Sequence, residues 1–181
     1  MKTPGWRRPL VIWAFVRRFP CWQVYLFLLI LSLAVRSVVT PWTESSDIEA
    51  HRLADVPRMT SEGAIGGEPV TLAYREWGDP ANPVKVVALH GSPAIGSTYD
   101  KLGPLLADHA HVIAPFMPGY GSSSKWVPDY GIKTNARYTL ALMDELGIDA
   151  AHVLGYSIGS GLGLWMQELA GDRVDSLIFY G

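Results

Sequence analysis

The sequence predicts an α/β fold, a mostly parallel sheet with helices between its strands, preceded by one transmembrane helix. Three observations predict it. From Glu62 onward, short β-rich runs bounded by Gly and Pro alternate with longer stretches of helical spacing. Residues 84–89 are continuously apolar apart from Lys85, as suits a parallel strand buried on both faces. Ahead of these runs, residues 19–35 pass without a charge, and the apolar pattern resumes through Val38 and Val39 after Arg36.

The head, taken first, carries the charge asymmetry. With 181 residues, 49% of them hydrophobic, 18% charged and a net charge of -2, the chain is no disordered polymer. Six basic residues and no acidic ones fall in residues 1–43, so all 17 acidic residues lie beyond. An acidic body repels polyanions, which argues against nucleic acid as a partner. The order of parts is a basic head over 1–18, a transmembrane helix or signal anchor over 19–39, a polar tether over 40–61 and the folded body over 62–181. A span needs about 20 mostly apolar helical residues. Trp22 and Trp42 sit at its two expected interfaces, and Arg7, Arg8, Arg17 and Arg18 precede it while Glu44, Asp47 and Glu49 follow. The positive-inside rule then puts the N-terminus in the cytoplasm and the body outside it, in the periplasm or extracellular space. A cleaved signal peptide, with residues 24–33 as its apolar region and Ser32 and Ala34 near the cut, is the alternative and would leave the body secreted. A buried core helix fits less well, since the run is apolar on all faces. Residues 10–16 are too short to span and read as interfacial. Ser46 and Glu49 have capping-box spacing, so the tether holds at most one short helix.

In the body, residues 70–77 read as a strand ending at Gly78-Asp79-Pro80, and residues 84–89 as the next, broken by His90-Gly91-Ser92-Pro93. Residues 97–107 are helix-like, 111–116 a third strand, and 130–146 a helix closed by Gly147. A short strand over 151–154, a helix over 158–170 and a last strand from Val174 to Tyr180 complete the pattern. The single cysteine, Cys21, makes no internal disulfide, and no Cys/His cluster has zinc spacing.

Gly155-Tyr156-Ser157-Ile158-Gly159 falls between a strand and a helix, the context in which G-x-S-x-G signals a nucleophile elbow. A serine in that sharp turn projects its hydroxyl above the sheet. Gly155 and Gly159 are required because a Cβ there would meet the neighbouring strand or helix, and the helix dipole favours negative charge near Ser157. A dinucleotide-binding turn is the competing reading, but residues 159–163 space their glycines as G-x-G-x-G, not G-x-G-x-x-G. Acyl transfer through serine generates an oxyanion that needs two backbone N–H donors, assigned to Ile158 and Ser92. His90, with Gly91 and Pro93, shapes the second of those loops and has no expected part in proton transfer. His109, His111 and His152 lie at or before strand starts, the end opposite a ligand crevice, and are expected to be structural.

These motifs give the body a resemblance to the N-terminal portion of an α/β-hydrolase, in the branch of serine esterases, lipases and peptidases. The oxyanion loop resembles His90-Gly91-Ser92-Pro93, the loop usually written D-x-P-G-x-G-x-S corresponds to residues 116–123, and the elbow to residues 155–159, over a stretch of about residues 68–181. Phe116 stands where the family usually has Asp, which puts the polar network of that loop in question. Serine at 157, not Asp, argues against the haloalkane dehalogenase and epoxide hydrolase branches that share the H-G-x-P loop. The resemblance implies an ester or related acyl substrate, small or lipid-like, with no cofactor and no metal.

In this fold the orienting acid and the histidine follow the serine in the chain. No histidine follows Ser157, and Glu168, Asp172 and Asp175 lie away from the expected site. The sequence therefore reads as a truncated membrane-anchored serine hydrolase, nearly inactive as it stands. His51, in the tether, is the one base that could fold back. The strand from Val174 to Tyr180 is expected to be an uncovered edge that a partner segment pairs with. A non-catalytic, membrane-anchored binding protein using the incomplete sheet as its surface is the rival reading.

Overall fold

The computed structural model describes residues 21–44 and 52–181, and within the first stretch the side chains from Trp22 to Ser37. The basic head, the interfacial stretch at 10–16, the capping box at Ser46 and Glu49, and His51 lie outside the described residues. The described residues fall into two compact units that divide between Ser46 and Asp47.

The first unit is helix α1, Cys21–Glu44, whose described side chains are exposed, among them Phe27, Ile30 and Leu33. Among the described residues no helix is long and apolar enough to cross a membrane. Of the expected span, residues 21–39 lie in this helix, and residues 19 and 20 lie outside the described residues.

In the second unit a six-stranded sheet has the order β1-β4-β6-β5-β7-β8, with β1 at Arg52–Val56, β4 at Val70–Trp77, β5 at Lys85–Leu89, β6 at His111–Pro115, β7 at Ala151–Tyr156 and β8 at Val174–Tyr180. The four strands from β5 to β8 are mutually parallel, and β4 runs antiparallel to both β1 and β6. A two-residue pair, β2 at Met59–Thr60 and β3 at Gly63–Ala64, forms a separate ribbon.

Parallel neighbours need crossovers. A 3₁₀ turn at Gly96–Tyr99 and the short helix α2, Gly103–Leu106, link β5 to β6, while α3, Ile132–Glu145, links β6 to β7 and α4, Ile158–Leu169, links β7 to β8. The two faces of the sheet are covered separately. Val87, Leu89 and Val153 share one core with Tyr138, Leu142, Leu162 and Met166 of α3 and α4. Ala88, on the opposite face of β5, packs with Tyr99 and Ala114, flanked by Trp77, Leu102 and Leu154. This two-residue alternation makes a continuous apolar run the natural sequence of a strand buried on both faces.

The sequence reading needs two corrections. Residues 52–61, assigned to the tether, supply β1 and β2, the first strand of the ribbon. Val56 pairs with Val70, both buried, and the Tyr138 hydroxyl accepts from Met59 N–H at 3.1 Å, so this segment is part of the body. β1 is an edge strand whose exposed residues Arg52, Leu53 and Asp55 hide the alternation that marks a half-buried strand. Residues 97–107 form no single helix, because Pro104 starts a new turn after the 3₁₀ segment.

Candidate functional site

Ser157 is the only residue between β7 and α4. Its φ of 52° and ψ of -118° make it the one non-glycine residue with positive φ among the described residues. Such a conformation costs about 1–3 kcal/mol and persists only where the surroundings fix it. A Cβ on Gly155 would lie 2.7 Å from Ser160 Cα and N, and one on Gly159 would lie 2.2 Å from the Leu89 carbonyl oxygen. Both positions are closed to any side chain, and the chain has to turn sharply between them. The Ser160 hydroxyl donates to the Gly155 carbonyl at 3.1 Å, and the Ser157 N–H donates to the Tyr180 carbonyl at 3.1 Å, tying the elbow to the end of β8. Ser157 is exposed at the N-terminus of α4, where the helix presents N–H groups without intrahelical partners.

The loop after β5 lies against this turn. A Cβ on Gly91 would sit 3.1 Å from Ser157 Cβ and 2.9 Å from the Tyr156 ring. Ser92 and Pro93, joined by a cis peptide bond, continue the loop on the surface, and the Tyr120 hydroxyl donates to Ser92 Oγ at 2.9 Å. His90 is buried, with both ring nitrogens engaged. Its Nε2 accepts from Met117 N–H at 3.1 Å, so Nδ1 carries the proton and donates to the Gly91 carbonyl at 2.7 Å. Burial pushes the His90 pKa down, opposed by that bond to Gly91. His90 therefore joins the β5 and β6 loops as a neutral imidazole and has no nitrogen free to act as a base.

His111 and His152 stay away, and His109 lies two residues before the start of β6. His111 pairs in register with Lys85, and His152 with Val86, whereas the elbow is level with Leu89 and Gly155 at the other end of the strands. Each has a local partner: His111 Nε2 lies 2.7 Å from Glu76 Oε1, and His152 Nδ1 lies 2.9 Å from Ser176 Oγ. Glu168, Asp172 and Asp175 fall at the end of α4, in the Gly171–Arg173 turn and at the start of β8, far along that strand from Tyr180. None of them can orient a base at Ser157. Among the described residues no three His, Cys, Asp or Glu side chains are grouped to hold a metal.

A cavity of about 340 Å³ opens beside the elbow, walled by His90, Met117, Pro118, Tyr120, Ile158 and Leu162, with Tyr130 and Asn135 beyond. A somewhat larger hollow of about 390 Å³ lies over Ile132, Leu164 and Trp165 on the outer faces of α3 and α4, where Lys133 Nζ stands 5.4 Å from the Trp165 ring centre. Of the two, only the first touches both the loop after β5 and the start of α4, so position outweighs size. Tyr120, Tyr130 and Asn135 were not assigned from the sequence. Tyr120 lies in the loop over residues 116–123, but Asn135 reads only as a polar break in a helix. Phe116, in the place of a family Asp, is fully buried, and its ring fills the space where a Cβ on Gly96 would come within 2.0 Å. An apolar plug thus replaces the polar network, while Ser123 Oγ holds the loop by donating to the Phe116 carbonyl at 2.6 Å and accepting from Ala73 N–H at 2.9 Å.

Residues 85–181 match the alpha/beta hydrolase fold family. A haloalkane dehalogenase of Bradyrhizobium diazoefficiens is 32% identical over 109 residues, covering 60% of this chain and 35% of that protein. A 3-hydroxybutyrate-oligomer hydrolase of Cupriavidus necator is 30% identical over 110 residues, covering 59% of this chain and 37% of its own length. Among solved structures, a haloalkane dehalogenase from Bradyrhizobium elkani superposes with a TM-score of 0.59 at 32% identity, over 71% of this chain and 41% of that one. An N-acyl homoserine lactone degrading enzyme superposes with a TM-score of 0.59 at 25% identity, over 70% and 44%. The chain thus spans little more than a third of the length of these curated relatives. The similarity reaches into the dehalogenases, the branch from which Ser157 was expected to set it apart.

Proposed function

The chain belongs to the alpha/beta hydrolase fold family, and from that premise we propose that the protein hydrolyses an ester or related acyl bond with Ser157 as nucleophile. The observation that carries this reading is the strained, exposed Ser157 at the start of α4, with the loop from His90 to Ser92 against it. Ser157 Oγ attacks the acyl carbon, the carbonyl π electrons move onto oxygen, and the oxyanion is met by the N–H groups of Ile158 and Ser92. The serine proton passes to a base, which returns it to the leaving alcohol, and water then releases the acyl group by the same steps in reverse order.

Halide displacement suits this site less well. A carboxylate that displaces halide forms an ester, which water can open at its carbonyl carbon. A serine would form an ether, which has no such carbon, so the serine at 157 favours acyl substrates over haloalkanes.

His90, His111 and His152 are engaged elsewhere and Glu168, Asp172 and Asp175 lie away from Ser157, so the reading places the base and its orienting acid on polypeptide outside residues 1–181. A fluorophosphonate probe tests this. The 181-residue chain should label slowly or not at all, a longer form carrying an acid and a histidine should label at Ser157, and Ser157→Ala should abolish the label. Rapid stoichiometric labelling of the 181-residue chain that His51→Ala removes would refute the outside-base reading. Absence of labelling in every form would favour the rival, a binding protein that uses β8 and its exposed Ile178, Phe179 and Tyr180 as a surface.

Attachment to a membrane through the head is part of the same proposal. It is supported by the basic residues before α1, the acidic ones after it, and the exposed apolar side chains from Val24 to Leu33. Protein that washes from membranes in alkaline carbonate, or a body digested by protease on the cytoplasmic face, would overturn it.

A further inference from the structure

The hollow of about 390 Å³ outside α3 and α4 opens on the flank of α4 away from β8, since it is Gly163 that faces Phe179 and Leu177, and Gly161 that faces Ile132. A Cβ on Gly161 would lie 3.6 Å from Ile132 Cγ2, so the two helices meet closely at this point and Gly161 makes the floor. Beside it Ile132, Leu164 and Trp165 are 37%, 56% and 37% exposed, whereas Leu162 and Met166 of α4 are buried in the core. α4 therefore carries a second apolar face on its solvent side. Lys133 Nζ stands 5.4 Å from the Trp165 ring centre, and Glu168, about one turn further along α4, lines the hollow as well. The two are not paired with each other, and neither is in an ion pair among the described residues.

A bare tryptophan beside two bare aliphatic side chains is the composition of an interface core. The unlike charges select the partner. A two-fold contact uses the same patch on both subunits, so a patch holding one cation, one anion and an apolar centre fits a second copy of itself, each lysine meeting the other copy's glutamate. We propose that this face of α3 and α4 is the contact surface of a homodimer, with Trp165 and Leu164 packed across the two-fold axis and Lys133 of one protomer paired with Glu168 of the other. An apolar ligand or segment would cover Trp165 and leave Lys133 and Glu168 facing apolar groups. Pairing across the axis instead places each ammonium between an aromatic face and a carboxylate, where loss of water strengthens the cation–π contact. The dimer requires neither Ser157 nor the cavity beside it, so it stands or falls apart from the hydrolase reading.

The test mixes full chains of natural and heavy nitrogen isotope in detergent at about 50 μM, lets them exchange, and adds a carbodiimide, which joins an amine to a carboxylate only where the two already meet. Mass spectrometry should find Lys133 joined to Glu168 in peptides that combine one light and one heavy partner. Lys133→Glu and Glu168→Lys should each weaken self-association about tenfold or more in sedimentation velocity, because like charges then meet twice across the axis. An equimolar mixture of the two variants should associate again, since every lysine once more faces a glutamate, and that recovery shows that neither variant failed by misfolding. A chain that stays monomeric at this concentration overturns the proposal, as does a Lys133–Glu168 link that is absent or confined to peptides of a single isotope. Self-association that both single variants keep overturns it too, the pattern expected if the head alone holds the copies together. So does a loss in both variants that mixing leaves unrestored.

Discussion

The N–H of Met117 donates to Nε2 of His90 at 3.1 Å, across the gap between the loop after β5 and the loop after β6. The bond exists only while that nitrogen is unprotonated. Burial lowers the His90 pKa from its ordinary 6.5, so protonation is favoured in the unfolded chain over the folded one. The stability this contributes is fully present above the unfolded value of about 6.5 and is lost as pH falls from there through the lower folded-state value. Urea midpoints measured from pH 8 to pH 5 should decline across that window. His90→Gln, which can still accept from Met117 and donate to Gly91, should flatten the decline, and an unchanged slope would rule His90 out as its source.

At the elbow, the backbone and not the hydroxyl carries the structural demand. Gly155→Val and Gly159→Val should each destabilise the fold by about 3 kcal/mol or more, since their side chains would meet the Ser160 backbone and the Leu89 carbonyl. Ser157→Ala should melt near the wild-type temperature. Ser157→Gly should be more stable than Ser157→Ala by about 1 kcal/mol, because glycine tolerates the positive φ. Calorimetric melting of the four variants checks the order.

Tyr138 binds the ribbon to α3. Its hydroxyl accepts from Met59 N–H at 3.1 Å and donates to the Met59 carbonyl at 3.3 Å, and its ring is fully buried. Tyr138→Phe should cost about 1 kcal/mol in urea unfolding, since it leaves two backbone groups without that partner. A chain starting at residue 62 should lose much more, because it uncovers Leu72 and Val70 on β4 where β1 pairs. If that shorter chain folds with the stability of one starting at 52, β1 is dispensable.

Asp129 ties the loop before α3 to the helix's first turn through Gly131 and Thr134. Its Oδ1 accepts from Gly131 N–H at 2.7 Å and its other oxygen from the Thr134 hydroxyl. The Thr134 bond, then the Gly131 bond, hold the Asp129 pKa below the usual carboxylate value. Asp129→Ala, which removes both bonds, should cost about 1 kcal/mol. The contribution is present above the unfolded carboxylate value and lost as pH falls through the lower folded one, so the wild type and the variant should converge in stability at strongly acid pH.

Sequence by itself determined the parallel sheet, its β5 and β8 strands to within a residue, and the elbow, because each rests on local signals: continuous apolar runs, glycines flanking a serine, and Gly147 with its φ of 64° closing α3. It also set His90 before a loop glycine, where both of its ring nitrogens are bonded. Tertiary structure alone decided the rest. Residues 52–56 are a strand only because β4 offers them an edge, and five residues with three exposed side chains carry too little pattern to reveal it. Phe116 replaces a polar network with an apolar plug only because Gly96, twenty residues earlier, leaves room for its ring. Asn135 is one more polar residue in a helix until the fold sets it in the same wall as Met117 and Ile158 and leaves its Oδ1 without a donor. A pairing between distant residues has no period and no spacing in the chain, so only the folded arrangement can express it.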